Sequence, residues 1–129
     1  MEVKDLHVLI CDDSLLIRKK MTDILKKAGV GTIREAENGQ LAINACKDVA
    51  PHLVFMDIVM PDKDGISALS EIKNINQNIQ VVMASSAGTQ AHLKKAIQLG
   101  AFDFIQKPID EQAVQNIIEK FLTESEESH

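Results

Sequence analysis

Two aspartates stand side by side in ICDDS, Asp12 and Asp13, at the end of the apolar run Val8 to Cys11. A third acid, Asp57, closes the apolar run Leu53 to Met56. Ser85 closes a run from Ile79 to Ala84, and Lys107 closes one from Phe102 to Gln106. Three carboxylates gathered at close range cannot all stay ionised at neutral pH without a cation. A hard divalent ion with oxygen ligands relieves them, and Mg²⁺ suits the case: it takes one or two carboxylates, keeps waters and accepts a phosphate. Aspartate is also a competent nucleophile toward phosphorus, giving an acyl phosphate. The charge on a transferred phosphoryl group needs neutralising. Lys107 supplies a fixed positive charge for that, and Ser85 a hydroxyl donor. On this reading Asp12 and Asp13 form a metal-binding half-site, and Asp57 is the group to be phosphorylated.

The elements between these residues decide whether they can meet. Val8 to Cys11 reads as a strand. Ser14 caps a helix with Ile17, Met21, Ile24, Leu25 and Ala28 on one face, closed by Gly29. Thr32 to Ala36 is a second strand, and Asn38-Gly39 reads as a turn. Ala42, Ala45, Cys46 and Val49 mark a second helix, which stops before Pro51. Leu53 to Met56 is the third strand. A loop from Met60 to Gly65 precedes a helix starting with Ile66, Leu69 and Ile72. The fourth strand, Ile79 to Ala84, leads to a helix that follows Gly88 and stops at Gly100. The fifth strand, Phe102 to Gln106, precedes a last helix with Ala113, Val114, Ile117, Ile118, Phe121 and Leu122. Strands alternating with helices imply a parallel sheet covered on both faces, and near-continuous apolar runs agree with that. All the C-terminal strand ends then share one edge of the sheet, the edge where open α/β sheets bind ligands. In the flavodoxin-like order 2-1-3-4-5 the reversal between strands one and three brings Asp12 and Asp13 beside Asp57.

The totals narrow the function classes. A chain of 129 residues suits one domain with a single core. Apolar residues make up 45% and charged residues 26%, the profile of a globular protein. No apolar run approaches the roughly 20 residues of a membrane span, and MEVKDLHVLICDD is no signal peptide, so a cytoplasmic location is expected. The formal charge of −5 argues against non-specific nucleic-acid binding. The two cysteines, Cys11 and Cys46, read as small buried hydrophobes, and the four histidines show no metal-ligand spacing. Residues 1–122 are expected to form the domain and Thr123 to His129 a polar, acidic tail that frays into solvent.

With these residues in place, the chain resembles a receiver domain of a two-component response regulator, of the CheY-like single-domain type. The resemblance covers essentially the whole chain. It rests on the acid pair of ICDDS, the aspartate of VFMDIVMPDKDG, the serine of VVMASSAG and the Lys-Pro of FIQKPI. It implies that Asp57 is the phosphoacceptor and that Asp13 binds Mg²⁺ directly, with Asp12 acting mostly through water. It implies the carbonyl of Val59 as a further ligand, and Lys107 paired with Asp57 or the phosphoryl group. Ser85 becomes a switch hydroxyl, Phe104 a switch aromatic, and Lys107-Pro108 a cis peptide. A phosphohistidine on a sensor kinase or phosphotransfer protein is the implied donor. Val59 and Ala87 stand where relatives often carry polar residues that position water, so a long-lived phosphoaspartate is expected. The output is expected through a downstream protein target, as a monomer or a phosphorylation-dependent dimer, with no nucleic acid or membrane involved.

Singly, each feature has a plainer explanation. Asp12 or Asp13 could cap the first helix, Asp57 could form a turn, Ser85 and Ser86 could cap the fourth helix, and Lys107 could be an exposed lysine. The constellation outweighs them. Three rival functions compete with this one. A Mg²⁺-dependent aspartyl phosphatase wants acids two apart after the first strand, whereas these are adjacent. An FMN carrier wants a Ser/Thr/Gly-rich phosphate loop there, and this loop is acidic. The third rival is a receiver cut from a larger transcription factor. No enzymatic turnover is expected beyond the chain's own phosphorylation and dephosphorylation.

Overall fold

The computed structural model describes residues 1–60, 63–86 and 90–127; within these, the side chains of Gln90, Glu126 and Glu127 are not described. A short 3-10 turn, Val3–Asp5, precedes strand β1, His7–Cys11. There follow helix α1 (Leu15–Ala28), β2 (Thr32–Ala36), α2 (Gly39–Asp48), β3 (Leu53–Asp57), α3 (Gly65–Ile75) and β4 (Gln80–Ser85). A second 3-10 turn, Gln90–His92, leads into α4 (Leu93–Gln98), then β5 (Asp103–Gln106) and α5 (Glu111–Glu127). The five strands pair in parallel in the order β2-β1-β3-β4-β5, as expected.

Strand periodicity explains the two-sided core. Successive side chains point to opposite faces of a sheet. Val8, Ile10, Phe55, Val82 and Ile105 face one side, where Met21, Leu25, Val114 and Ile118 of α1 and α5 cover them. Leu9, Cys11, Val54, Met56, Val81 and Met83 face the other, under Ala42, Ile43, Cys46, Ala68, Leu69, Ile72 and Ala96 of α2, α3 and α4. Both faces exclude water, so β1, β3 and β4 carry almost uninterrupted apolar residues. Each buried Leu or Ile side chain contributes about 1.5–3 kcal/mol.

Local signals set most helix ends. The Ser14 side chain accepts from the Ile17 N–H, and Gly29 takes φ 95°, a left-handed conformation that costs glycine nothing. Asn38-Gly39 departs from the expected turn. Asn38 is the N-cap of α2, its side chain accepting from the Leu41 N–H, and Gly39 is the first helical residue. The reading as a turn came from the dipeptide, but asparagine serves both roles and the helix behind it decides. Helix α4 is shorter than expected. Of its expected start, Gly88 lies outside the described residues. The helix itself ends at Gln98, while Gly100 takes φ 97°. At the C-terminus α5 runs through Glu127, so residues 123–127 are helical where a fraying tail was expected. No Gly or Pro follows Pro108 to stop the helix, and glutamate is a good helix former. Among the described residues, no helix is long and apolar enough to cross a membrane.

Candidate functional site

The parallel sheet delivers the ends of β1, β3, β4 and β5 to one edge. There Asp12, Asp13 and Asp57 each present a carboxylate oxygen, and these oxygens lie within 4.8 Å of one another. Asp12 and Asp57 are buried, 3% and 7% exposed, whereas Asp13 is exposed. Lys107 enters from the end of β5. Its ammonium lies 2.9 Å from Asp12 Oδ2 and 3.2 Å from Asp57 Oδ1, bridging the two buried acids.

Asp12 is held at every polar atom. Its N–H donates to the Ala36 carbonyl at 3.2 Å, and its carbonyl accepts from Arg18 Nη1 at 2.7 Å. Its Oδ1 accepts from the Ser14 N–H at 2.8 Å, and its Oδ2 accepts from Lys107. The cap of α1 weighed for the acid pair is Ser14 instead, and the Asp12 Oδ1 bond to the Ser14 N–H closes a turn just ahead of the helix. Both Asp12 oxygens being engaged, Asp13 and Asp57 are the carboxylates freer to meet an ion directly.

Electrostatics follow from this crowding. Burial and the neighbouring Asp12 carboxylate push the Asp57 carboxyl above its ordinary value, against the pull of Lys107. Burial works against the Lys107 charge, but its hydrogen bond to Asp12 and the nearby Asp57 charge outweigh it, so its pKa is raised. A lysine held this firmly cationic is a fixed counter-charge. The neighbouring Cys11 thiol is pushed up to about 12 by burial and by Asp12, which leaves it protonated and unreactive at neutral pH. Cys11 and Cys46 are both free and buried, in keeping with their reading as small hydrophobes.

The remaining residues expected at the site fall around this centre. Ser85 is buried at the end of β4, one residue beyond the Ala84 that pairs with Asp57. Its hydroxyl lies 3.5 Å from the Ile105 carbonyl, and its own carbonyl accepts from the Lys107 N–H at 2.8 Å. Val59 is exposed on the bend after β3, and Phe104 is 41% exposed on edge strand β5. The Lys107-Pro108 peptide is cis, as the resemblance implied. Ala87 lies outside the described residues.

Two supports escaped the sequence reading. Gly65 packs against the end of β3 so tightly that a Cβ there would sit 2.1 Å from the Asp57 carbonyl oxygen, and its N–H donates to the Ile58 carbonyl at 2.8 Å. Arg18 reads as one more charge on a basic helix, yet it is anchored against Asp12. Only the Asp-Lys-Asp-Gly run before α3 hints at the first, and nothing local hints at the second.

Residues 8–119 match the response regulator receiver domain family. The chain belongs to that family. This receiver is 45% identical to the chemotaxis protein CheY of Bacillus subtilis strain 168, over 90% of the chain and 97% of that protein. It is 41% identical to CheY of Thermotoga maritima, over 88% of the chain and 95% of that protein. The crystal structure of the NtrX receiver domain of Brucella abortus superposes with a TM-score of 0.84 at 36% identity, covering 90% of this receiver and 98% of that one. CheY of Borrelia burgdorferi, solved as a CheX-CheY-BeF3-Mg complex, matches with a TM-score of 0.83 at 34% identity, covering 90% and 89% of the two chains.

Proposed function

We propose that this receiver is the phosphoacceptor of a two-component signalling system, taking a phosphoryl group onto Asp57. The observation that carries the reading is the placement of the Asp57 carboxylate, buried at a strand end between two further acids and a bridging lysine. An Asp57 oxygen attacks phosphorus of a phosphohistidine on a sensor histidine kinase or phosphotransfer protein. The P–N bond breaks, its electron pair stays on the ring nitrogen, and that nitrogen takes a proton from solvent. The product is an acyl phosphate.

Three hard carboxylate oxygens within 4.8 Å of one another are the donor set that a hard divalent cation such as Mg²⁺ takes. Asp13 and Asp57 would hold it directly, Asp12 through water, and the Val59 carbonyl would complete the protein ligands. When bound it supplies charge neutralisation for the phosphoryl oxygens. Lys107 trades its contact with Asp57 for a phosphoryl oxygen while keeping Asp12. Ser85 turns its hydroxyl from the Ile105 carbonyl toward the phosphoryl group, and Phe104 changes rotamer in response. Such a two-state shift alters which protein the surface binds. The receiver turns over no separate substrate. It acts in the cytoplasm on a downstream protein rather than on nucleic acid, as a monomer or a phosphorylation-dependent dimer.

Intact-mass spectrometry after incubation with acetyl phosphate tests this. Wild type gains one phosphoryl group only with Mg²⁺, and Asp57→Asn gains none. Failure of wild type to form any adduct overturns the reading and leaves a receiver fold used as a fixed binding module.

A further inference from the structure

We propose that Arg18 is a positioning residue for the acid pair, clamping the Asp12–Asp13 peptide to edge strand β2 and thereby setting the divalent-cation affinity of the pocket. This rests on the Mg²⁺ reading above. The guanidinium reaches from the first turn of α1 in two directions. Nη1 donates to the Asp12 carbonyl at 2.7 Å, and Nε donates to Glu35 Oε1 of β2 at 3.0 Å. The arginine side chain is only 12% exposed. Its own N–H donates to the Ser14 carbonyl, so its stem starts from ordered helix.

The carbonyl it grips belongs to the peptide between Asp12 and Asp13. That peptide plane sets the directions in which the two carboxylates leave the chain. On its other side Asp12 is tied to β2 by its N–H bond to Ala36. The main chain at the acid pair is thus fastened to β2 twice, once directly and once through Arg18 and Glu35. Without the guanidinium the Asp12 carbonyl loses its partner, and the peptide that aims Asp13 toward Asp57 is held only by the Asp12 N–H bond to Ala36 and the Ser14 N–H bond to Asp12 Oδ1.

The charge of Arg18 and its geometry act in opposite directions, which makes the proposal decisive to test. A cationic side chain beside a cation site disfavours the ion through space. Its fork, holding a carbonyl and a carboxylate at once, favours the ion by ordering the ligands. A lysine keeps the charge but cannot reproduce the fork.

Isothermal titration of the full chain with Mg²⁺, with folding checked by circular dichroism, separates the two. We expect Arg18→Ala to weaken Mg²⁺ binding about tenfold, the loss typical when a group orienting a metal ligand is removed. Arg18→Lys should be several-fold weaker than wild type. Equal or tighter binding by Arg18→Ala, with Arg18→Lys unchanged, overturns the clamp and leaves only a through-space charge. Should Arg18→Ala fail to fold, unchanged binding by Arg18→Lys alone overturns it. A wild type that binds no Mg²⁺ overturns the metal reading itself, and the clamp with it.

Discussion

Replacing Asp57 by asparagine removes one charge from a crowded buried group while keeping its shape and an oxygen for Lys107. The folded Asp57 carboxyl titrates above its ordinary value, chiefly from burial and then from Asp12. The sign follows. Stability linked to this group is fully present below the unfolded carboxyl pKa near 3.8 and is lost as pH rises through the higher folded value. At pH 7 without divalent ions, Asp57→Asn should therefore be more stable than wild type, on the order of 1 kcal/mol or about 4 °C in melting temperature. The gap should close near pH 4, and added Mg²⁺ should raise the wild-type midpoint more than the mutant's. Thermal melts across pH check all three, and a mutant less stable at pH 7 contradicts the argument. Val59, exposed beside the pocket, has no polar atom on its side chain to position a water. Purified phosphoprotein in Mg²⁺ buffer should accordingly keep its phosphoryl group for long periods, and Val59→Asn should shorten that lifetime. Rapid loss from wild type, followed by phosphate release, refutes this.

Gly65 starts α3 where the helix meets the end of β3, and the contact admits no Cβ. The opposing atoms, the Asp57 carbonyl and the Ile58 Cα, are backbone and cannot swing aside. Gly65→Ala should cost about 1–3 kcal/mol in a denaturant titration, as overpacking does, and lower phosphorylation by displacing Asp57. A neutral result on both counts means that α3 moves away freely. At the opposite edge of the sheet, Arg34 of β2 donates to the Ala45 and Val49 carbonyls at the end of α2, and its Nη1 lies 3.2 Å from His7 Nε2. Burial, then the Arg34 charge, holds His7 below its usual pKa. The stability tied to neutral His7 is complete above about pH 6.5 and falls as pH drops through the lower folded value. His7→Gln should flatten the loss of melting temperature between pH 7 and pH 5, and an unchanged slope shows that His7 contributes nothing.

The molecule as a whole is a sheet with two separately covered faces and one chemically equipped edge. Its acidic end is helical rather than frayed, since α5 extends through Glu127. Thr123 and Glu124 are nonetheless exposed. A chain ending at Leu122 should keep its phosphorylation by acetyl phosphate and melt within a few degrees of the full chain. A large loss of stability would move the domain boundary into the last turns of α5.

Much of this was legible in advance because the relevant signals are local. Apolar runs that do not alternate mark strands buried on both faces, and Ser14 and Gly29 mark the ends of α1 by their own conformational chemistry. Chain polarity then obliges parallel strands to present Asp12, Asp57, Ser85 and Lys107 on the same edge. The length of α4 and the helical end of α5 differ from the sequence expectation, because packing and marginal propensities decide them. What required the tertiary structure were the pairings between positions far apart in sequence. Lys107 meets Asp12 across 95 positions, more closely than it meets Asp57. Asp12 is buried and its neighbour Asp13 exposed, a difference of one residue that no composition or spacing encodes. Gly65 and Arg18 acquire their importance only from backbone atoms of other elements that come to rest against them. Periodicity and capping act over a few residues, whereas contact distance and burial are properties of the packed sheet.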